Sequence, residues 1–413
     1  MFAKGSSSTF KARALILLII GFITMYCTGM FGTDIINVIQ NPIMEKLGCS
    51  ATQATLGWSI GGYTVIALAF VFSTVIMKKG VRGFSTFCFA VMAVGAALVA
   101  VGYNSNSVPV IAVGGFLLRN FLQALQLCVF QVIARWFNRT RGFILGIIGA
   151  SFALDNSTSS TGLTLLLEKL GFTGMITVGV VIMLVLGVLA FLFIRTTPEE
   201  AGLTVDGLPE NKNTDKDHSH DDHGSKWTLG SLLKIRESWC IMIGIGIFNM
   251  TLTAVITQFF NSLMGMGLEM GTCMRYMLIF GLLGILMSTV YGKLVDVLSA
   301  PKAGVIVAAL YALSVAGFCF HVPLLAAMGL TFFVGAPVLQ PALTMHVFGG
   351  REYQATNRYL AIIVNLIGAC GLPFMTIISD ATGSYTLAYY ILLALNLLVL
   401  VLMLLCRKTY AKD

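Results

Sequence analysis

Residues 108–156 read VPVIAVGGFLLRNFLQALQLCVFQVIARWFNRTRGFILGIIGASFALDN. Two apolar stretches flank a short basic run made by Arg135, Arg139 and Arg141. Each stretch is long enough to cross a bilayer as a helix, and the basic run marks the membrane surface between them. Each also carries one charge deep inside. Arg119 lies 16 residues before Arg135, and Asp155 lies 14 residues after Arg141. At about 1.5 Å of rise per residue, both stand roughly 20–24 Å from the basic boundary. The hydrocarbon core is only about 30 Å thick. A charge at that depth costs at least ~2.5–3.5 kcal/mol, so it pairs, faces a wet cavity or serves a function.

The pattern extends over the whole chain. Of 413 residues, 57% are hydrophobic and 11% charged, and the mean hydropathy is +0.88. That composition excludes an ordinary soluble domain and implies a polytopic membrane protein. Windows of about 20 apolar residues recur at 14–38, 54–77, 83–102, 108–134, 142–166, 174–194, 238–263, 270–291, 303–320, 322–346, 356–379 and 385–406. The first is too long for a signal-peptide core and has no small-residue cleavage site, so it is expected to stay as a span. The reading is an all-α membrane protein of twelve transmembrane helices, arranged as two pseudo-symmetric six-helix bundles. Its parts are an N-terminus (1–13), a first bundle (14–194), a linker (195–237), a second bundle (238–406) and a C-terminus (407–413). The linker is polar, rich in charge, Pro, Gly and Asn, and without apolar periodicity.

Of the 26 Lys and Arg residues, 21 fall in the termini and in the loops after spans 2, 4, 6, 8 and 10. The opposite loops hold only Lys46 and Lys169, and three lie within spans: Arg119, Arg275 and Arg358. By the positive-inside rule, both termini and the linker are expected in the cytoplasm, with the protein in the cytoplasmic membrane. This asymmetry accounts for the net charge of +8 without nucleic acid as a partner. The nine cysteines sit mostly inside apolar stretches with no metal-ligand spacing, as buried small hydrophobes do. His218, His220 and His223, with Asp221 and Asp222, cluster in the linker. They show no preorganised ligand geometry, so no metal and no cofactor is expected. Nothing resembles a nucleotide-binding loop or a nucleophile–base pair, which argues against an enzyme and against ATP as the energy source.

The loop after span 8 reads Gly292-Lys293-Leu294-Val295-Asp296, and Lys78, Lys79, Gly80 and Arg82 follow span 2. With the 6+6 layout, these features resemble the major facilitator superfamily, whose second helix is followed by a Gly, an Asp four residues on, and basic residues. Here Gly292 and Asp296 keep that pattern in the second half, whereas Met77 stands in place of the acid in the first. Arg135-Trp136-Phe137 with Arg141-Gly142, the run Pro198-Glu199-Glu200, Gly202-Leu203 and Asp206-Gly207, and the turn Asp380, Gly383, Ser384 and Tyr385 are similar to the oxalate/formate antiporter and monocarboxylate transporter branch. The resemblance implies alternating access between two bundles about a central site. In two places the chain departs from that branch. Ser288 stands where its helix-8 arginine is expected, and Asn365 stands where the oxalate antiporters have a helix-11 lysine. The branch's usual anion clamp is therefore absent, and oxalate specificity does not follow.

The candidate residues divide by depth and charge. Arg119, with Gln123 one turn on, resembles a helix-4 arginine of proton-driven superfamily members. A fixed guanidinium there grips a carboxylate in two-point fashion, or holds a neighbouring acid ionised until substrate displaces it. A static Arg119–Asp155 ion pair is the structural alternative. Asp155 opens the run Asn156, Ser157, Thr158, Ser159, Ser160 and Thr161, too polar to face lipid throughout. Asp34, with Tyr26 and Asn37 nearby on the first span, is the other candidate proton carrier; an exposed acid at the outer rim is its alternative. Arg275, 21 residues before Asp296, and Arg358, seven after Arg351, fall near the two mouths. Together with Lys78, Arg82 and Asp296 they are candidates for gating or for drawing anions inward. The second half offers neutral groups: Asn249, Thr253 and Thr257 on one face at four-residue steps, with Gln258, Gln340 and Asn365. Pro337, Pro341 and Pro373 are expected to kink spans 10 and 11.

The sequence-level reading is a monomeric secondary transporter of a small organic anion, a carboxylate, by symport with protons or by exchange for a counter-substrate. Tyr26, Asn156, Asn249, Gln258, Gln340 and Asn365 join Arg119 and Gln123 as the expected substrate lining, and Asp155 and Asp34 carry the proton. A proton-driven exporter of amphipathic or cationic compounds, and a membrane sensor acting through the linker, are the rival readings.

Overall fold

The structure, a computed structural model, describes residues 8–137, 141–207, 227–333, 335–349 and 353–406, with some helical side chains, Asp296 among them, also outside the description. The linker histidines, Arg139, Arg351 and both chain ends are outside it too. No strand forms among the described residues. The chain divides into two compact units, Met1–Cys49 with Leu56–Asp222, and Ser50–Thr55 with His223–Asp413.

The first unit holds α1 (Ser8–Gly29), a single π-helical turn (Met30–Asp34), α2 (Ile36–Leu47), α3 (Ala51–Lys79), α4 (Val81–Asn104), α5 (Val108–Trp136) and α6 (Arg141–Phe193). Nearly unbroken apolar sequence makes each helix long, because a chain in hydrocarbon must satisfy its own backbone groups. α5 starts with Pro109 in its first turn, where the missing N–H costs nothing. At 53 residues, α6 would be about 80 Å long at helical rise, more than twice the hydrocarbon thickness. Gly171 divides it, with φ 70° and ψ 177°, a left-handed conformation glycine adopts without steric cost. Two crossings therefore lie inside one continuous helical run. α1 packs on α5 and α6, and so does α4. Glycines let α4 and α5 approach closely: a Cβ at Gly95 would sit 3.0 Å from the Gly114 carbonyl, the small-residue contact typical of membrane helices. Near the basic ends, Phe10 packs against Trp136 and Phe137, with ring centroids 6.0 and 5.9 Å away.

The second unit holds α7 (Leu229–Leu232), α8 (Arg236–Gly265), α9 (Met270–Leu298), α10 (Ala300–Cys319), α11 (Pro323–Ala327), α12 (Gly329–Phe332), α13 (Gly335–Phe348), α14 (Tyr353–Ala369), α15 (Gly371–Thr382) and α16 (Thr386–Leu405). α8 is its axis, packed against α14, α15 and α16. Phe248, Tyr311 and Phe333 form a cluster of tilted rings, with centroids 4.4 and 4.6 Å apart. Asn396 Nδ2 donates to Thr251 Oγ1 at 2.9 Å, satisfying two polar groups away from water. The unit also takes in the first turn of α3. Asp380, near the end of α15, accepts from the N–H of Ala51 and of Thr52 at 2.9 Å each, as a carboxylate at a helix N-terminus does.

The expected span 10 is interrupted twice, and one of the two breaks falls where Pro337 places it. The break after Phe332 leads into Phe333, whose carbonyl Pro337 has no N–H to serve and which accepts from the Tyr311 hydroxyl instead. The break at Met328 has no proline in the turn after it, and Pro341 lies within α13. Span 11 is interrupted at Cys370, next to Ala369, whose carbonyl Pro373 has no N–H to serve. Nine described helices, or runs of helices, are long and apolar enough to cross a membrane. One of them, Leu154–Phe193, has 40 residues and contains the Gly171 break.

Candidate functional site

A polar layer of the first unit forms where α1 and the π-helical turn after it meet the first part of α6. A π-turn inserts an extra residue and re-aims the side chains beyond it, and such turns concentrate at functional sites. Asp34 closes this one. It is 2% exposed, and Asp155 is 3% exposed. Ser159, one turn after Asp155, donates from Oγ to Asp34 Oδ2 at 2.5 Å. Ser160 Oγ reaches the Asp34 carbonyl at 3.5 Å and receives Asn37 Nδ2 at 3.4 Å. Tyr26 and Thr158 share a 2.8 Å hydrogen bond. Members of the polar run after Asp155 are thus bonded to α1, and Asp34 is no exposed rim acid. Asp155 is seated in a notch. A Cβ at Gly29 would fall on Asp155 Oδ2 and 2.8 Å from its Cγ, so the missing side chain is what admits the carboxylate. Asp155 Oδ1 is buried with no hydrogen-bond partner. Sequence reasoning passed over Gly29, and it named Ser159 only as one of the polar run; the four-residue step from Asp155 to Ser159 was the signal that could have singled it out.

Arg119 stands apart from these acids. Its side chain lies against Gly61 of α3, where a Cβ would meet its Cβ and Cγ at 2.8 and 2.9 Å. It is half-buried, and no ion pair joins it to Asp155 or Asp34 among the described residues. The static pair is therefore not formed. One turn back, Trp58 packs on Gly115. This ring is 1% exposed, and its indole Nε1 has no acceptor. Asn120 Nδ2 donates to Phe116 O at 2.9 Å, and Thr64 Oγ1 donates to Asn120 Oδ1 at 3.1 Å. The α3–α5 layer thus holds a guanidinium and an indole N–H without anionic partners. Gln123 is half-buried on the next turn of α5. Gly32 of the π-turn sits against Leu122, whose Cδ2 would lie 2.9 Å from a Cβ added to that glycine. This close approach links the acid layer to α5.

Other candidates are placed separately. Arg275 is exposed and bonds its own turn, with Nη2 on Thr272 Oγ1 at 3.2 Å. Arg358 is exposed, with Nη2 on Tyr359 OH at 3.0 Å. Lys78 is exposed. Arg82 donates from Nε to Phe191 O at 2.7 Å and lies over the Phe191 ring, which ties α4 to the end of α6. The Asp296 side chain is outside the description, and Asn156 is half-buried on α6. In the second unit, Asn249 and Thr253 lie against Gly368 and Gly371 of α14 and α15, so this face of α8 is occupied by helix packing. Gln258 interrupts α8 at φ −121° and accepts from Asn261 Nδ2 at 2.9 Å. Gln340 Nε2 donates to Asn357 Oδ1 at 3.2 Å, and Asn365 is exposed. No group of three metal-ligating side chains occurs among the described residues.

Residues 17–350 match the Major Facilitator Superfamily. The chain belongs to that superfamily. As a member, it is a multi-pass membrane transporter with a small-molecule substrate. Its structure is similar to a bacterial homologue of the human lysosomal transporter Spinster, solved inward-facing and occupied, with a TM-score of 0.67 at 14% identity, covering 97% of this chain and 95% of that one. The same homologue solved unoccupied gives a TM-score of 0.68 at 14% identity, covering 98% of this chain and 100% of that one. A variant of the nucleoside transporter NupG gives 0.69 at 12% identity, covering 96% and 100%. At these identities the likeness is one of fold. No curated protein matches the sequence.

Proposed function

We propose that this transporter moves a small organic anion, a carboxylate, by alternating access, with a proton carried at Asp34 and Asp155. The observation that carries the reading is the half-buried Arg119 guanidinium, which has no carboxylate partner among the described residues. A membrane-embedded cation left unpaired by the protein is completed by an anion from outside it. Trp58 supplies a second unmet donor in the same layer. Gln123 extends the polar lining, and Tyr26, Asn156, Asn249, Gln258, Gln340 and Asn365 remain the neutral candidates.

Direct competition between substrate and acid for Arg119 has no contact to act through. The proposed coupling instead runs through packing. Loading the acids alters the π-turn, and Gly32 passes the change to Leu122, one turn beyond Arg119 on α5. The branch resemblance, the cytoplasmic termini and the monomeric state belong to this proposal. So does the cytoplasmic membrane as its location. The test is a thermal-shift screen of carboxylates on purified protein, repeated on Arg119→Gln. A ligand present at 100 times its Kd stabilises by about 2.7 kcal/mol, and that gain should vanish in the variant. Equal stabilisation of both proteins would overturn the anion assignment.

Export of an amphipathic cation is the second reading, favoured by two buried acids with no basic partner among the described residues. Cation-dependent stabilisation that is lost in Asp155→Asn, with no response to carboxylates, would select it.

A further inference from the structure

Asp34 and Asp155 lie on either side of one hydroxyl. Ser159 stands one turn above Asp155 on α6 and faces its carboxylate as well as that of Asp34. A serine has a single hydrogen to give. Here that hydrogen goes to Asp34 Oδ2 at 2.5 Å, so none is left for Asp155, whose Oδ1 is buried and unpartnered. The other titratable groups facing the pair are Tyr26 and Cys27 of α1, and Tyr26 is already bonded to Thr158. From α5 the π-turn meets Leu122. α2 and α6 bring no basic residue into an ion pair with either acid among the described residues. Two carboxylates that share one hydroxyl neighbour, 2% and 3% exposed, cannot both be ionised in so dry a place. A bridging metal ion does not fit between Ser159 and Asp34. Even Mg²⁺, at about 2.0–2.1 Å per ligand in octahedral geometry, holds neighbouring oxygens ~2.9 Å apart. A proton has no such requirement, and one placed on Asp155 turns its orphaned oxygen into a donor.

We propose that Asp34, Ser159 and Asp155 form one proton site that holds a single proton between its two carboxylates, so that the acids work as a unit and not as two carriers. The inference rests on the proton-coupling reading above. Ser159 is a positioning residue within it, and Gly29 provides the notch that keeps Asp155 in reach.

Infrared difference spectroscopy of the purified full-length protein tests this, by following the carbonyl stretch of protonated carboxyl groups through a pH titration. The variants are Asp34→Asn, Asp155→Asn, the double replacement, Ser159→Ala and Ser159→Thr. The expected result is one protonated carboxyl in the wild type near neutral pH. Either single replacement should shift both its frequency and its titration, and the double replacement should remove it. Ser159→Ala should move the band with both acids present, and Ser159→Thr, which keeps the hydroxyl, should restore it. If each single variant instead retains the other acid's band unchanged, and the wild type is their sum, the acids are independent and the shared site is wrong, while proton coupling stands. If the wild type shows no protonated carboxyl at any pH, both ideas fail together. Unaltered melting of the Asn variants confirms that the comparison is made on folded protein.

Discussion

Gly29→Ala tests the notch directly. The added methyl would lie on Asp155 Oδ2 and 2.8 Å from its Cγ, where carbon atoms in contact sit at about 3.5–4.0 Å. The carboxylate must retreat by roughly an ångström, or the π-turn must shift away from α6. Overpacking of this kind costs about 1–3 kcal/mol. Against it stands the helix preference of alanine over glycine, up to about 1 kcal/mol, available because Gly29 already has helical angles of φ −62° and ψ −51°. The expected net loss is about 0–2 kcal/mol, a fall of a few degrees in the melting midpoint. The larger effect should be on the acids, since retreat of Asp155 breaks its approach to Ser159. Gly162→Ala is the matched control. It lies in the same α1–α6 contact, yet its nearest neighbour would be Met30 Cε at 3.8 Å, an ordinary contact, so this replacement should leave stability equal or raise it by up to about 1 kcal/mol. Thermal melting and the carboxyl infrared band measure both variants. A Gly29→Ala protein as stable as the Gly162→Ala control, with an unchanged carboxyl band, would refute the notch argument.

Two further replacements probe the helix contacts. Gly57→Ala places a methyl on the Ala112 carbonyl and 2.8 Å from Phe116 N; backbone cannot rotate away as a side chain does, so the loss should reach the upper end of ~1–3 kcal/mol, read as a lower melting midpoint and yield than Gly29→Ala. Asp380→Ala removes the carboxylate that caps Ala51 and Thr52 and should cost about 1 kcal/mol, with faster hydrogen exchange at those two amides as the local readout.

The helical architecture could be read from apolar runs because a bilayer demands about 20 residues per crossing, and Gly171 falls in the gap between the fifth and sixth spans read from sequence. Spacing along the chain gave Arg119 and Asp155 a similar depth, 16 and 14 residues from the basic run. Depth, however, is one coordinate, and partnership needs direction as well. α1 packs on both α5 and α6, and its π-turn turns Asp34 toward Asp155 while Arg119 faces α3. Hydropathy contains no signal for a π-turn, so the acid pair was not visible. Nor was the notch, since a glycine opposite a carboxylate looks like any other glycine in a membrane helix. The break at Met328 was missed for a related reason. Proline marks where a helix lacks a donor, as Pro337 does for the Phe333 carbonyl, whereas Met328 has no proline in the turn that follows it.

The division of charge has a consequence for energetics. In the second unit, the one described ion pair is Arg236 with Glu237 at 3.1 Å, in the first turn of α8, and the groups deeper in α8 are neutral. The proposed proton site and the proposed anion site therefore both belong to the first unit. If the acids share one proton and Arg119 takes one monocarboxylate, the loaded transporter gains equal and opposite charges, and their transfer is electroneutral. A membrane potential of 100 mV, worth about 2.3 kcal/mol per net charge moved, should then leave accumulation unchanged. One unit of pH difference should still drive it by about 1.4 kcal/mol, a factor of ten. Two independent proton carriers would instead move one net positive charge per cycle and make accumulation depend on potential. Proteoliposomes loaded with the carboxylate found in the thermal-shift screen separate the two cases, with valinomycin and a potassium gradient setting the potential at fixed pH. Potential-driven accumulation would eliminate the shared proton even if Arg119 proved to be the anion site.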